Sequence, residues 1–288
     1  MKSKVIAEVG CNHKGDLEIA KQMIIIAAVY CNADVVKFQK RNNKELLSEE
    51  QFNAPHPNPV NSYGNTYGEH REYLELSIEE HKELKSYCEE FGITYSTSVW
   101  DLTSAKEIAS LKPELIKIPS AMNNHFEMLG WLCDNYIGEI HVSTGMTNYN
   151  EIDELIQFFI EKGRNKDVVL YNCTSGYPVP YKDIRLKEIT RLLSKYKKVV
   201  KSIGFSGHHL GTAVDIAAYT LGAEWIERHF TLDRTWKGTD HSASLEPEEL
   251  KTLISNLKQV EEALEFKEEE ILEIEKVQRE KLKYRERR

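Results

Sequence analysis

Hydrophobic and polar positions follow two rhythms along this chain. Apolar, β-branched runs recur near residues 4–9, 34–39, 93–98, 115–119, 139–143, 168–173, 201–206 and 224–230. Between most of them, apolar residues return every three or four positions, over 17–30, 78–91, 104–111, 152–160, 213–221 and 247–264. Extended runs alternating with helical spacing predict β/α units around a parallel sheet, and eight such runs predict a closed TIM (β/α)8 barrel. A doubly wound open sheet is the competing arrangement, but no run is followed by a GxGxxG turn or a P-loop.

Four of the runs carry a charge where an ordinary buried strand would not. They are Val5-Ile6-Ala7-Glu8-Val9, Val35-Val36-Lys37-Phe38-Gln39, Leu115-Ile116-Lys117-Ile118-Pro119 and Trp225-Ile226-Glu227-Arg228-His229-Phe230. An unpaired buried charge is costly, so these groups are expected to converge on one another or on a polar ligand. Strand alternation puts Glu227 and His229 on one face of the last run, and Lys37 and Gln39 on one face of the second. In a parallel barrel such groups meet at the C-terminal strand ends.

The chain has 288 residues, 41% of them hydrophobic, enough for one barrel of about 250 residues with a large core. The expected division is a barrel over 1–264 and a charged C-terminal helical tail over 265–288, which ends in Arg285, Arg287 and Arg288. Residues 41–76, rich in Asn, Pro, Tyr and Gly, show no clear periodicity and read as a long loop, either at the barrel mouth or as a plain surface excursion. A formal charge of -8 argues against a nucleic-acid surface. Met1-Lys2-Ser3-Lys4 runs straight into a strand, and no apolar run approaches a membrane span, so a cytoplasmic protein is expected. The five cysteines, Cys11, Cys31, Cys88, Cys133 and Cys173, form no CxxC pair and read as reduced, structural thiols.

The chemistry-bearing residues collect at the predicted strand ends. Lys37 and Lys117, joined by Ser98, Ser120, Ser143 and Ser206, with Thr144-Gly145 and Gly207 for close backbone approach, suit a compact multiply charged anion. A phosphate ester bearing a carboxylate has that character. His208 and His229 follow consecutive strands and are placed to share a divalent cation with open positions, with His209 as the rival ligand. Glu227, Asp240 and His241 lie close by in sequence. Glu8 reads either as a group orienting an acceptor hydroxyl or as a salt-bridge partner of Lys37. Asn12 and His13 belong either to the mouth or to a turn.

Ordered segments of the chain resemble the sialic acid synthase family, enzymes that condense phosphoenolpyruvate with an N-acetylmannosamine-type sugar. The segments are IAEVGCNHKGDLEIAK from Ile6, ADVVKFQ from Ala33, IKIPSAMNN from Ile116, HVSTGMT from His141, YNCTSGYPVP from Tyr171, GFSGHHLGT from Gly204 and IERHFTLDRTWKGTDHSASLEP from Ile226. The resemblance implies that Lys37, Ser98, Lys117, Ser120, Ser143, Ser175 and Ser206 surround phosphoenolpyruvate. It implies His208 and His229 as ligands of a manganese- or magnesium-like ion. It puts Glu8, Tyr177, Glu227 and Asp240 near the acceptor or the reacting centre, and it implies a homodimer. Gln39 joins the substrate-binding set through its place beside Lys37. Ser175 stands where some bacterial members have asparagine.

YGNTYGEHREYLELS from Tyr63, the Ser-Gly-His form of the metal loop and TWKGTDHSASLEP look most like the animal-type branch, which uses 6-phosphorylated sugars. Lys237, Arg71 and Arg234 are then candidates for a second phosphate. Many family members carry an antifreeze-like domain after the barrel, and the expectation here is a barrel without one. The alternatives are another phosphoenolpyruvate-dependent 3-deoxy-sugar-acid synthase and a non-catalytic barrel that binds a sugar or an anion.

Overall fold

The computed structural model describes residues 2–284; Met1, Arg285, Arg287 and Arg288 lie outside the described residues. Eight parallel strands close into a barrel in chain order: β1 Lys4–Gly10, β2 Val35–Lys40, β3 Thr94–Val99, β4 Leu115–Ile118, β5 Glu139–Ser143, β6 Val168–Cys173, β7 Ser202–Gly207 and β8 Trp225–His229. Each matches an anticipated run to within about two residues, because β-branched and aromatic residues between turn signals mark buried strands.

Alternation sorts every strand into two faces. Outward residues such as Val5, Ala7, Val36, Phe38, Ile116, Val142, Leu170, Phe205 and Ile226 form the main core against the surrounding helices. Inward residues at the N-terminal ends (Ile6, Val35, Leu115, Val169, Tyr171 and Trp225) form a separate apolar plug inside the barrel. Moving two residues further along each strand, the inward positions turn polar: Glu8, Lys37, Lys117, Cys173, Glu227. Gly204 leaves room for the plug, since a Cβ there would come within 2.6 Å of the Tyr171 ring. The plug is the floor on which the polar layer stands.

The helices differ from expectation in detail. The 17–30 stretch is an α-helix over Leu17–Ile25 that widens into a π turn over Ile26–Tyr30. Helices over Phe126–Asn135 and Lys187–Tyr196 were not among the anticipated stretches, although Ile189, Leu192 and Tyr196 bury one face of the second. Segment 41–76 is irregular only in part: it holds helices Asn43–Leu46, Glu49–Asn53 and Tyr67–Leu74, with residues 54–66 irregular apart from a 3-10 turn over Pro59–Asn61. The last two helices start on local capping boxes, Ser48 with Gln51 and Thr66 with Glu69, and the first on the Asn42 side chain, signals independent of hydrophobic periodicity. The barrel closes with helix Pro247–Ala263. The tail is not one continuous helix: residues 265–272 are irregular and a helix follows over Glu273–Leu282. No helix among the described residues is long and apolar enough to cross a membrane.

Candidate active site

Strand register brings the charged inward positions together. Glu8 is paired in register with Lys37 on one side and His229 on the other, Ser98 with Gln39 and Lys117, and Ser206 with Cys173 and Glu227. The Lys37 ammonium lies 2.5 Å from Glu8 Oε2 and 3.6 Å from Glu227 Oε1, and donates to Ser98 Oγ at 2.7 Å. Lys117 reaches Glu227 Oε2 at 2.8 Å and sits 3.5 Å over the Tyr171 ring that caps the plug. Ser206 Oγ donates to Glu227 Oε1 at 3.2 Å, and Gln39 Nε2 to Glu8 Oε1 at 2.8 Å.

This cluster opens into a cavity of about 290 Å³ at the C-terminal strand ends. Its walls include Glu8, Lys37, Gln39, Ser98, Lys117, Ser120, Ser143, Ser175, Tyr177, Ser206, His208, Glu227 and His229. Of the thirteen residues that the resemblance implies, together with Gln39, all but one therefore share this hollow. The exception is Asp240, which does not line it. Its carboxylate accepts from Thr239 Oγ1 at 2.9 Å, and although burial would raise its pKa, His229 and the guanidiniums of Arg41 and Arg71 hold it below the usual range.

Electrostatics follow from burial. Glu8, Lys37 and Lys117 are each about 2% exposed, and Glu227 6%. Burial pushes the Lys117 ammonium below the ordinary lysine pKa, Glu227 partly restores it, and Lys37 lowers it further. Burial alone would raise Glu227, but the ammonium groups of Lys117 and Lys37 outweigh it and keep the carboxylate ionised well below the usual range. Two cations thus face a cavity while sharing two carboxylates. Lys117 meets one carboxylate and keeps N–H bonds for an anion in the hollow, whereas Lys37 already meets Glu8, Ser98 and, at 3.6 Å, Glu227.

Beside them, the His208 and His229 rings stand 5.3 Å apart, with Tyr177 4.3 Å from the first and 5.9 Å from the second. His208 Nδ1 donates to Thr174 O at 3.2 Å, which fixes the tautomer and leaves Nε2 as a lone-pair donor. Burial pushes its pKa down to about 3, so the ring is neutral, the form that binds metals. His229 Nδ1 is buried without a partner. A free imidazole lone pair and an orphaned imidazole nitrogen side by side fit a divalent cation. Among the described residues no cluster of three or more His, Cys, Asp or Glu is arranged for a metal, so the pair would leave the other positions to water and substrate.

The rival ligand is excluded by direction. His209 turns outward, where its Nε2 lies 3.1 Å from Arg228 Nη1 and 3.3 Å from Asp215 Oδ2. Other residues near the motif are structural: Asn12 Nδ2 donates to Phe230 O at 2.8 Å, His13 Nδ1 accepts from Gly15 N at 3.1 Å, and His241 Nδ1 contacts Thr231 Oγ1 at 2.7 Å. A Cβ on Gly207 would strike His209 and Phe205, so this glycine serves packing. Gly145 does serve the site, since a Cβ there would lie 2.5 Å from Ser175 Oγ and 2.7 Å from Ser120 Oγ. Arg234 is paired with Glu246 and Glu249, whereas Arg71 donates to Tyr67 OH and Lys237 lies over the Tyr63 ring, neither with a carboxylate partner among the described residues.

Several wall residues escaped the sequence reading. Trp100, Met146 and Cys173 line the cavity. Arg41 stacks 4.2 Å over Trp100, contacts Gln39 Oε1 through Nη2, and meets Glu75 at 3.5 Å. It therefore ties the 41–76 segment to the Gln39–Glu8–Lys37 chain.

A profile described as the NeuB family matches residues 24–269. N-acetylneuraminate-9-phosphate synthase of Homo sapiens is 38% identical over 280 residues, which is 96% of this chain and 76% of the relative. N,N'-diacetyllegionaminic acid synthase of Campylobacter jejuni subsp. jejuni serotype O:2 is 35% identical over 264 residues, 91% of this chain and 78% of the relative. A crystal structure of N-acetylneuraminic acid (sialic acid) synthetase from Leptospira borgpetersenii serovar Hardjo-bovis, in complex with citrate, superposes with a TM-score of 0.82 at 28% identity, covering 99% of this chain and 94% of that one.

Proposed function

The chain belongs to the NeuB family, and from that premise we propose that it condenses phosphoenolpyruvate with an N-acetylmannosamine-type or mannose-type aldose, yielding a nonulosonic acid and phosphate. The observation that carries this reading is the convergence of Lys37, Lys117 and the serine hydroxyls on one cavity beside two imidazoles, which supplies an anion pocket next to an electrophile site. Relatives named for nonulosonic acids support the same product class.

In the reaction, C3 of phosphoenolpyruvate bonds to the aldehyde carbon of the open-chain sugar. As that bond forms, the aldehyde π bond breaks onto its oxygen, which takes up a proton, and positive charge develops at C2. Water adds there with loss of one proton, and phosphate departs with cleavage of the C2–O bond as the added hydroxyl gives up its other proton to leave the C2 ketone. Lys37 and Lys117 hold the donor's phosphate and carboxylate and stabilise the leaving phosphate, with Ser98, Ser120, Ser143, Ser175 and Ser206 as hydroxyl partners. Glu227, held between Lys117 and Ser206, is the carboxylate placed to orient the attacking water and manage its proton. Glu8 and Gln39, joined at 2.8 Å, orient an acceptor hydroxyl, and the Tyr177 ring covers the sugar side of the cavity. Asp240 acts on His229 through its charge. His208 and His229 would hold a divalent cation, manganese or magnesium, which when bound supplies Lewis-acid polarisation of the aldehyde.

The acceptor in this reading is 6-phosphorylated. Addition of three carbons at C1 turns a phosphate on C6 into one on C9, the product named for the human relative. Arg71 and Lys237, without carboxylate partners among the described residues, support a second anion near the mouth.

The test is phosphate release from phosphoenolpyruvate in the presence of manganese, across N-acetylmannosamine, its 6-phosphate, mannose and a pentose phosphate. Release with the phosphorylated hexosamine above all others is expected. Preference for the pentose would favour the shorter 3-deoxy-sugar-acid reaction, and silence with every sugar would leave a binding barrel.

A further inference from the structure

Beneath the polar layer, the plug contains one hydrogen-bonded chain that the reaction above it does not use. Lys117 on β4 is in register with His141 on β5, and Tyr171 on β6 with Ser143 and Gly204. His141 Nδ1 lies 2.7 Å from the Tyr171 hydroxyl, and His141 Nε2 lies 3.3 Å from Glu139 Oε2. Burial would raise the Glu139 pKa, but His141 and Lys201 outweigh it and hold it down at about 2, so this carboxylate only accepts. His141 therefore donates through Nε2, and its Nδ1 accepts from the phenol. Trp225 packs perpendicular to the imidazole at 4.6 Å, and Gly204 leaves the space that the Tyr171 ring fills. These contacts fix the ring, and the Lys117 ammonium stands 3.5 Å over its centroid.

The ring meets two opposed demands on Lys117. Glu227 on β8, Lys37 on β2, Cys173 on β6 and His141 on β5 act on its ammonium, and burial pushes its pKa down. Burial raises the Cys173 thiol and pushes His141 down to about 4, so both are neutral and Glu227 is the one anion of the four. A second carboxylate would keep the ammonium charged but would also repel an anionic donor. A neutral ring face attracts a cation through its quadrupole and adds no negative charge to the cavity. Burial pushes the Tyr171 phenol well above its ordinary value, so the ring stays neutral.

We propose that Tyr171 is a positioning residue: its ring, fixed by His141, holds the Lys117 ammonium charged and in place for the anion in the hollow. Tyr171 does not line the cavity itself and acts through Lys117. Its part in turnover rests on the proposed condensation, whereas the attraction between ring and ammonium does not.

Lysine side-chain NMR of the full-length protein tests it, with the Lys117 Cε signal assigned by its loss in Lys117→Arg. Tyr171→Leu is expected to lower the Lys117 titration midpoint by about one unit, the scale of a desolvated ring–cation contact. Tyr171→Phe keeps the ring and is expected to stay near the parent. Since Tyr171→Leu strips His141 Nδ1 of its donor, the double variant His141→Val, Tyr171→Leu is measured beside it, removing both polar partners together. The alkaline limb of kcat/KM for phosphoenolpyruvate is expected to move with the midpoint in each variant. An unchanged midpoint in the leucine variants, or a shift as large in Tyr171→Phe, would overturn the role of the ring. A shifted midpoint with an unmoved limb would overturn the role in turnover. If the midpoint shifts while the parent releases no phosphate with any sugar, the contact between ring and ammonium stands and the condensation falls.

Discussion

Strand β8 carries three ionisable residues in a row, and their neighbours on the two faces of the barrel wall differ in kind. Glu227 and His229 point inward to Lys117, Lys37 and His208 around an open cavity. Arg228, between them, points outward to Asp215 and His209 and also donates to Gly211 O at 2.8 Å and to His209 O. Both clusters are almost wholly buried. Burial therefore does not distinguish a site from a structural network. What distinguishes them is that Arg228 turns its terminal amino groups to fixed protein acceptors away from any cavity, whereas both lysines line a hollow and Lys117 keeps donors beyond its one carboxylate.

The sharpest way to break this comparison is to remove one cation from each side. Lys117→Met is expected to lower kcat by about 10²–10³-fold, the usual loss for a group that stabilises developing charge, while the protein stays folded because Glu227 keeps Lys37 and Ser206. Steady-state kinetics beside a circular-dichroism melt would check both halves. Arg228→Met is expected to do the reverse. Breaking a buried pair costs about 3–5 kcal/mol, read in denaturant unfolding, while the folded fraction keeps its kcat.

A smaller effect tests how the inner cluster is held. Arg41→Ala frees the Gln39 amide, and the acceptor kcat/KM should fall by about tenfold, the ~1.5 kcal/mol of one charge-assisted hydrogen bond, with the KM for phosphoenolpyruvate unchanged. The smallest effect is one of pH. Lys117 must be protonated to hold phosphate, and its pKa lies below the ordinary 10.5 because of burial. As pH rises through that lowered value the proton is lost, so the alkaline limb of kcat/KM should come earlier than for a free lysine. Lys117→Arg should move that limb upward, since a guanidinium keeps its charge.

Most of the barrel and its inner polar layer could be read from the sequence because period-two alternation and misplaced charges are both local signals. The same signal, carried further, would have found more. Continuing the inward positions of β6 past Val169 and Tyr171 reaches Cys173, and continuing those of β7 past Gly204 and Ser206 reaches His208 rather than His209. Trp100, Met146 and Arg41 were not legible, because they follow strands in loops whose direction depends on tertiary packing. The helices of 41–76 were missed for a related reason, being started by local side-chain caps and too short to show a period. Asp240 sits in a loop too, and its charge rather than its contact reaches the site.

The central claim is that the inner cluster is built to hold phosphoenolpyruvate. A crystal structure with phosphoenolpyruvate and manganese tests it most directly. The account predicts donor density inside the barrel mouth, its phosphate and carboxylate contacted by Lys37, Lys117 and the serine hydroxyls, with the cation between His208 and His229. Donor density elsewhere, with that hollow holding only water and both lysines still closed on Glu8 and Glu227, would contradict it.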